Sequence, residues 1–203
     1  MGILFVILIH LIAILIISIF IAFVASIITY FASSKEKRRR NIFFALLSPA
    51  VGLCTLYICG LTGSILISEF KNIDVGIGDS FYIPLSNNCK LSFIDEIEDG
   101  SMYNQNQSVV TEITEINESN ENVFGKTKDD SYFSYNTITG HLNKSIDEKE
   151  LSKLYPTIRP LLISSRDFYF KKRSDIVGVW IAFVGIISLI ITFMSLFFLK
   201  KIY

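Results

Sequence analysis

Metal ligands are scarce in this chain: 203 residues hold three cysteines and two histidines. Cys54, Cys59 and Cys89 form no CxxC or CxxxC pair, and His10 and His141 stand far apart. That leaves no Cys/His zinc pattern. A disulfide framework is excluded as well, because Cys54 and Cys59 lie in an apolar run and Cys89 has no partner in its own hydrophilic region. Cys89 is left as a free thiol or one half of an intermolecular bridge. Catalytic patterns are missing too. His141 has no serine or cysteine nucleophile with a partner carboxylate nearby, so it reads as a surface histidine. We expect neither enzymatic activity nor a cofactor.

Charge is absent from three long stretches: residues 3 to 34, Ile42 to Ile67, and Ile176 to Leu199. Each exceeds the roughly 20 residues needed to cross a bilayer. The first, at about 1.5 Å per residue, is long enough to tilt or protrude. A mean hydropathy of +0.47 fits a polytopic membrane protein with a modest hydrophilic part. Pro49 falls in the first turns of the second run and is expected to kink it. Apart from His10, which reads as an interfacial residue, the runs hold no Asp, Glu, Lys or Arg. Transporters and pumps place such groups at the midplane, so an ion-coupled transporter acting alone is not expected.

What is present between the first two runs is a dense positive turn, Lys35-Glu36-Lys37-Arg38-Arg39-Arg40. Loops of this kind stay on the cytoplasmic side. The chain opens without a basic segment, the reverse of a secretory signal peptide, so the first run reads as a retained anchor with its N-terminus outside. Lys200 and Lys201 then also fall inside. Lys71, Arg166, Lys171, Lys172 and Arg173 fall outside, but long domains translocate largely regardless of charge. Lys35, Lys37, Arg38, Arg39 and Arg40 would face anionic headgroups of the inner leaflet. The stretch is too short and too close to two spans to read as a nucleic-acid patch.

The expected organisation is a transmembrane helix over 1–34, a cytoplasmic turn over 35–41 and a second span over 42–68. An extracytoplasmic β-rich domain follows over 69–165. A juxtamembrane helix over 166–199 continues into the third span, and 200–203 form a cytoplasmic tail. The fold class is therefore an α+β membrane protein with three spans and one small antiparallel domain. From Glu69 to Arg173 there are 17 acidic and 12 basic residues, a net of −5, while the rest carries 2 acidic and 7 basic, a net of +5.

Within the domain, Phe81–Leu85 and Leu91–Asp95 read as strands around the turn Ser86-Asn87-Asn88. Glu98-Asp99-Gly100-Ser101 reads as another turn. Ser108–Ile116 breaks alternation at Ile113 and Ile116, which predicts a bulge, and Asn122–Lys126 is a further strand. Tyr132–Tyr135 and His141–Lys144 form a hairpin in which Gly140 takes a positive φ. The sum is a meander of five or six strands. Ser145-Ile146-Asp147-Glu148 has capping-box spacing, with Leu151 and Leu154 buried and Pro156 ending the helix. Ser164 or Ser165 would cap a helix from Arg166.

Small residues recur at helix-packing spacing in all three runs: Ser18, Ala22 and Ser26; Gly52, Gly60 and Gly63; Gly178, Ala182 and Gly185. Such faces let helices approach closely in lipid. The acidic turn Asp95–Asp99 has Ile97 where a calcium loop needs an oxygen ligand, so it reads as a solvated turn. Three Asn-x-Ser sequons, at Asn106, Asn117 and Asn143, matter only in a eukaryotic secretory pathway.

The plan of a helical hairpin, an outer β-rich domain and a returning helix resembles that of many small bacterial envelope proteins. The expected function is that of a non-enzymatic protein of the bacterial inner membrane. Its partners are membrane lipid and, through the outer domain, a protein: it is an envelope-complex subunit or an immunity-type protein. The alternative is an oligomeric pore or transport-accessory subunit, built as a homo-oligomer on the small-residue faces.

Overall fold

Charge-free runs longer than a bilayer satisfy their backbone only as helices, and that is what they form in the computed structural model, which describes residues 3–77, 79–146, 149, 151, 153 and 161–202. Helix α1 spans Ile3–Ala32, α2 spans Arg38–Lys71 and α3 spans Ser165–Ile202. All three are long and apolar enough to cross a membrane.

The chain divides into two compact units, each described on its own. The first comprises residues 1–66 and 179–203, the second 67–178. In the helical unit, large apolar side chains such as Phe20, Phe31 and Phe193 are exposed, while Ser18, Ala22, Ala45 and Ser188 are buried. Apolar outside and small inside is the distribution expected of helices solvated by lipid.

Helix α2 begins at Arg38, so Arg38, Arg39 and Arg40 form its first turn rather than a loop extending to residue 41. Pro49 therefore lies well inside α2, which continues through it. The helix ends at Lys71 because Asn72 adopts a left-handed conformation, φ 51°. The Ile73 N–H then reaches back to the Ser68 carbonyl at 3.3 Å, which satisfies a terminal acceptor. The Ser68 hydroxyl donates to the Ile73 carbonyl at 2.5 Å, and Ile73 is buried beside it.

Among its described residues the second unit holds eight strands: β1 Ser80–Pro84, β2 Cys89–Ile94, β3 Gly100–Asn104, β4 Gln107–Ser119, β5 Asn122–Thr127, β6 Tyr132–Asn136, β7 Leu142–Ile146 and β8 Ile163–Ser164. Strands β1 to β7 pair in sequence order, all antiparallel, and β8 joins β4. This exceeds the five or six strands read from sequence. Strand β3 occupies residues assigned in part to a turn, and β8 adds two residues.

Strand β4 is shared. Its first half pairs with β3 up to Ile113, and its second half pairs with β5 from Ile113 to Ser119. The expected irregularity is there: the register shifts around Ile113, and Glu112 has φ 56°. Beyond the shift β4 leaves β3, and β8 fills that edge opposite Glu115 and Ile116.

A bond between strands β3 and β6, which are not neighbours, and one between the turns after β1 and β6 show that the sheet curls. Asn104 Nδ2 donates to the Tyr135 hydroxyl at 2.6 Å, and Asn87 Nδ2 to Thr137 Oγ1 at 2.9 Å. Ile83, Leu91, Met102, Ile113, Ile116 and Phe133 are fully buried. Phe124, on the opposite face of β5, packs with Leu151, Tyr132 and Leu162. Burial of each such side chain stabilises by about 1.5–3 kcal/mol.

Ser145 ends up in β7. Of the helix expected after it, Lys149, Leu151 and Lys153 are helical and Leu151 is buried, whereas Asp147, Glu148, Leu154 and Pro156 lie outside the described residues. At the start of α3, Ser164 is the cap: its hydroxyl oxygen accepts the Asp167 N–H at 3.0 Å and donates to Asp167 Oδ2 at 2.7 Å. Ser165 instead turns inward and donates to the Ile113 carbonyl at 2.6 Å, at the β4 irregularity.

Candidate functional site

Among the described residues of the second unit, Asp74, Tyr169 and Arg173 form a buried charge network. Asp74 follows the α2 cap and is 4% exposed. Its backbone N–H donates to the Tyr82 carbonyl at 3.1 Å, and its Oδ1 accepts the Tyr82 N–H at 3.2 Å, so it extends the open edge of β1. The Tyr169 hydroxyl donates to the same Oδ1 at 2.7 Å. Arg173, one turn further along α3, places Nε 3.6 Å from Oδ2. That distance gives charge compensation without a hydrogen bond, and both atoms lack a hydrogen-bond partner.

Gly76 is required here. Its φ is +81°, and a Cβ would sit 2.6 Å from Arg173 Nη2. Tyr169 also meets Phe81 and Phe93 edge to face, with centroids 6.2 and 5.6 Å apart. The network thus ties α3 to the β1–β2 hairpin. Its groups face one another across Oδ1 and the ion pair, which suits a structural role.

A second charged pair borders a groove of about 490 Å³. Lys172 Nζ pairs with Glu118 Oε2, and Glu118 Oε1 accepts the Ser86 N–H at 2.5 Å. Leu161, Ile163, Phe168 and Ile176 supply apolar lining, with Asn117, Lys171 and Asp175 also lining the groove. Leu161 is 54% exposed. An open apolar floor with charges of both signs around it can hold an apolar side chain of another molecule and orient it by polar contacts.

Cys89 is buried and free. Burial pushes its thiol above the ordinary range, and the negative charge of Glu118 adds to that. A raised pKa leaves less thiolate at neutral pH, and the thiolate is the nucleophile. We expect Cys89 to resist maleimide at pH 7 even in lysed membranes and to react once denatured. Ile138→Cys, at an exposed hairpin tip, should label readily in the folded protein. Rapid labelling of folded Cys89, read by mass shift, would contradict the burial.

Among the small residues, Gly63 and Gly52 meet side chains of α3. A Cβ at Gly63 would lie 2.4 Å from Val184, and one at Gly52 would lie 3.7 Å from Leu196. Ser18 and Ser26 donate to carbonyls of their own helix, Ile14 and Ala22, at 2.7 Å. Gly60 and Gly185 have open space beside them, Gly178 meets only Ser174 of its own helix, and Ala182 is exposed. His10, read as interfacial, has Nδ1 3.1 Å from the Tyr57 hydroxyl, so α1 and α2 are joined by a polar contact.

The basic turn lines a cavity of about 790 Å³ with Lys35, Glu36, Arg38, Arg39, Arg40, Ile42, Phe43 and Leu46. Lys37 does not line it. His141 is an exposed hairpin residue. Among the described residues, no group of three His, Cys, Asp or Glu could hold a metal ion. In the acidic turn, Asp99 is engaged by Lys128 at 2.7 Å.

Sequence reasoning missed Asp74, Tyr169 and Glu118. The only signal was Asp74 itself, an acidic residue between a helix end and a strand. Comparison of the chain with protein-family models, curated proteins and solved structures returns no match.

Proposed function

We propose that this chain is a non-enzymatic integral membrane protein whose β-rich domain binds a protein partner. On this reading it resides in the bacterial inner membrane, with its N-terminus and the domain outside and its C-terminus in the cytoplasm. It serves as an envelope-complex subunit or an immunity-type protein. The observation that carries the binding role is the groove between β4, β8 and the start of α3, with Leu161 and Phe168 in its lining and Lys171 and Asp175 beside them. The sidedness rests on the cluster at Lys35–Arg40 and on Lys200-Lys201. The net acidity of the domain favours a basic partner through steering.

The test is site-specific photocrosslinking in intact cells. A photoreactive residue at Leu161 should give one discrete protein adduct, and the same residue at Ile138 none. Asp175→Lys should lower the adduct yield several-fold. Equal adducts from both positions, or none from Leu161, would remove the groove as the binding surface. The Ile138→Cys variant, treated with an impermeant maleimide before lysis, tests the side: protection until lysis places the domain in the cytoplasm.

A further inference from the structure

The cavity at the start of α2 has the chemistry of a phosphate amphiphile site. Four cations, Lys35, Arg38, Arg39 and Arg40, line it with a single acid, Glu36. None of the four forms an ion pair among the described residues. The turn that presents them is fixed. The Lys37 N–H donates to the Ser34 carbonyl at 3.2 Å, and Asn41 Nδ2 donates to Ser33 Oγ at 3.0 Å.

Arg38 is held in place as well. Its guanidinium carbon lies 4.6 Å from the Tyr30 ring centroid, and Nη2 donates to the Ser33 carbonyl at 3.5 Å. Its Nε is shielded and has no hydrogen-bond partner, so the charge is positioned without being neutralised.

Three arginines in the first turn of a helix repel its positive end and are unfavourable unless an anion joins them. The first-turn N–H groups have no intrahelical acceptor, so the same place offers backbone donors to an anion. The rest of the lining is of another kind. Ile42, Phe43 and Leu46 continue one side of the helix from the arginines, and Phe43 and Leu46 are 43% and 46% exposed. Cations at one end and an apolar strip at the other match a charged head joined to a hydrocarbon chain. A free oxyanion would use only the first.

We propose that this cavity is a binding site for an anionic phospholipid, its phosphate among Lys35, Arg38, Arg39 and Arg40 and one acyl chain along Ile42, Phe43 and Leu46.

The experiment uses the full-length chain purified in detergent, titrated with dioleoylphosphatidylglycerol or dioleoylphosphatidylcholine and read by native mass spectrometry. One phosphatidylglycerol should remain bound, with an affinity about tenfold above phosphatidylcholine. The double variant Arg39→Gln, Arg40→Gln removes two of the four charges that distinguish an anionic headgroup from a zwitterionic one. It should reduce that preference about fivefold. Lys200→Gln with Lys201→Gln should leave it unchanged. Equal retention of the two lipids overturns the proposal, as does a preference unaltered by the arginine variant or abolished by the lysine one. Displacement of the lipid by millimolar inorganic phosphate would assign the cations to a free oxyanion and likewise overturn it.

Discussion

Replacing Asp74 with alanine should destabilise the β-rich unit by about 3 kcal/mol, the lower end of the cost of breaking a buried ion pair. The lower end applies because Arg173 keeps 24% of its side chain exposed and can recover some hydration, whereas Asp74 keeps 3%. Two donors lose their acceptor at once, the Tyr169 hydroxyl at 2.7 Å and the Tyr82 N–H at 3.2 Å, and the Arg173 guanidinium loses its counter-charge at 3.6 Å. For a unit of this size the midpoint should fall by roughly 10 °C or more.

The measurement is thermal unfolding of the full-length chain in detergent, followed by near-ultraviolet circular dichroism of the tyrosines. Tyr169→Phe removes one bond to a charged group and should cost less, about 1.5–2 kcal/mol. The two losses should not add, because both report on the same carboxylate. A midpoint shift under 2 °C for Asp74→Ala would mean that the network contributes little to stability.

Gly125→Ala should be the second large effect, at about 2–3 kcal/mol. On β5, Gly125 sits opposite Phe133 of β6 and Ile116 of β4. A Cβ there would lie 2.5 Å from Phe133 Cε1 and 2.7 Å from the Glu115 carbonyl oxygen. The ring can turn aside at some cost, but the carbonyl belongs to the β4 backbone and moves only with the strand. Phe133 itself is fully buried, so it has no free space to enter.

The opposite sign is expected at Gly185, where nothing lies within 4 Å and a methyl group only favours the helix. The pair separates a steric cause from a general intolerance of substitution. If Gly125→Ala unfolds at the wild-type midpoint, β4 and β5 are less closely packed than these distances imply.

Several elements were legible because their cause is local. The spans follow from runs without charge, and a serine cap at Ser164 or Ser165 was legible because a capping serine acts within one helical turn, though only the fold chose Ser164. Strands β1 and β2 were legible as short runs of aromatic and β-branched residues around the turn Ser86-Asn87-Asn88, and both asparagines do take positive φ, 53° and 62°. Strand β3 was not legible. Its hairpin with β4 turns at Gln105-Asn106, with φ 46° and 68°. Glutamine is no usual choice for the left-handed region, so composition gave no turn there. Strand β8 is two residues long and exists only because β4 outlasts β3.

The same division holds for the sites. The cationic turn is a property of consecutive residues, so the sequence alone brought Lys35, Arg38, Arg39 and Arg40 together, but it did not separate them from Lys37, which does not line the cavity, or add the apolar strip that follows on α2. By itself the sequence determined three membrane-competent helices, a charged turn and a strand-rich acidic segment, because hydrophobicity and turn chemistry act over a few residues. Only the tertiary structure decided which polar groups are buried together. Asp74 and Tyr169 are separated by 95 positions, and no local pattern links them. They meet because the sheet curls and the start of α3 returns to β1, where a carboxylate leaving water requires a hydroxyl and a guanidinium to meet it.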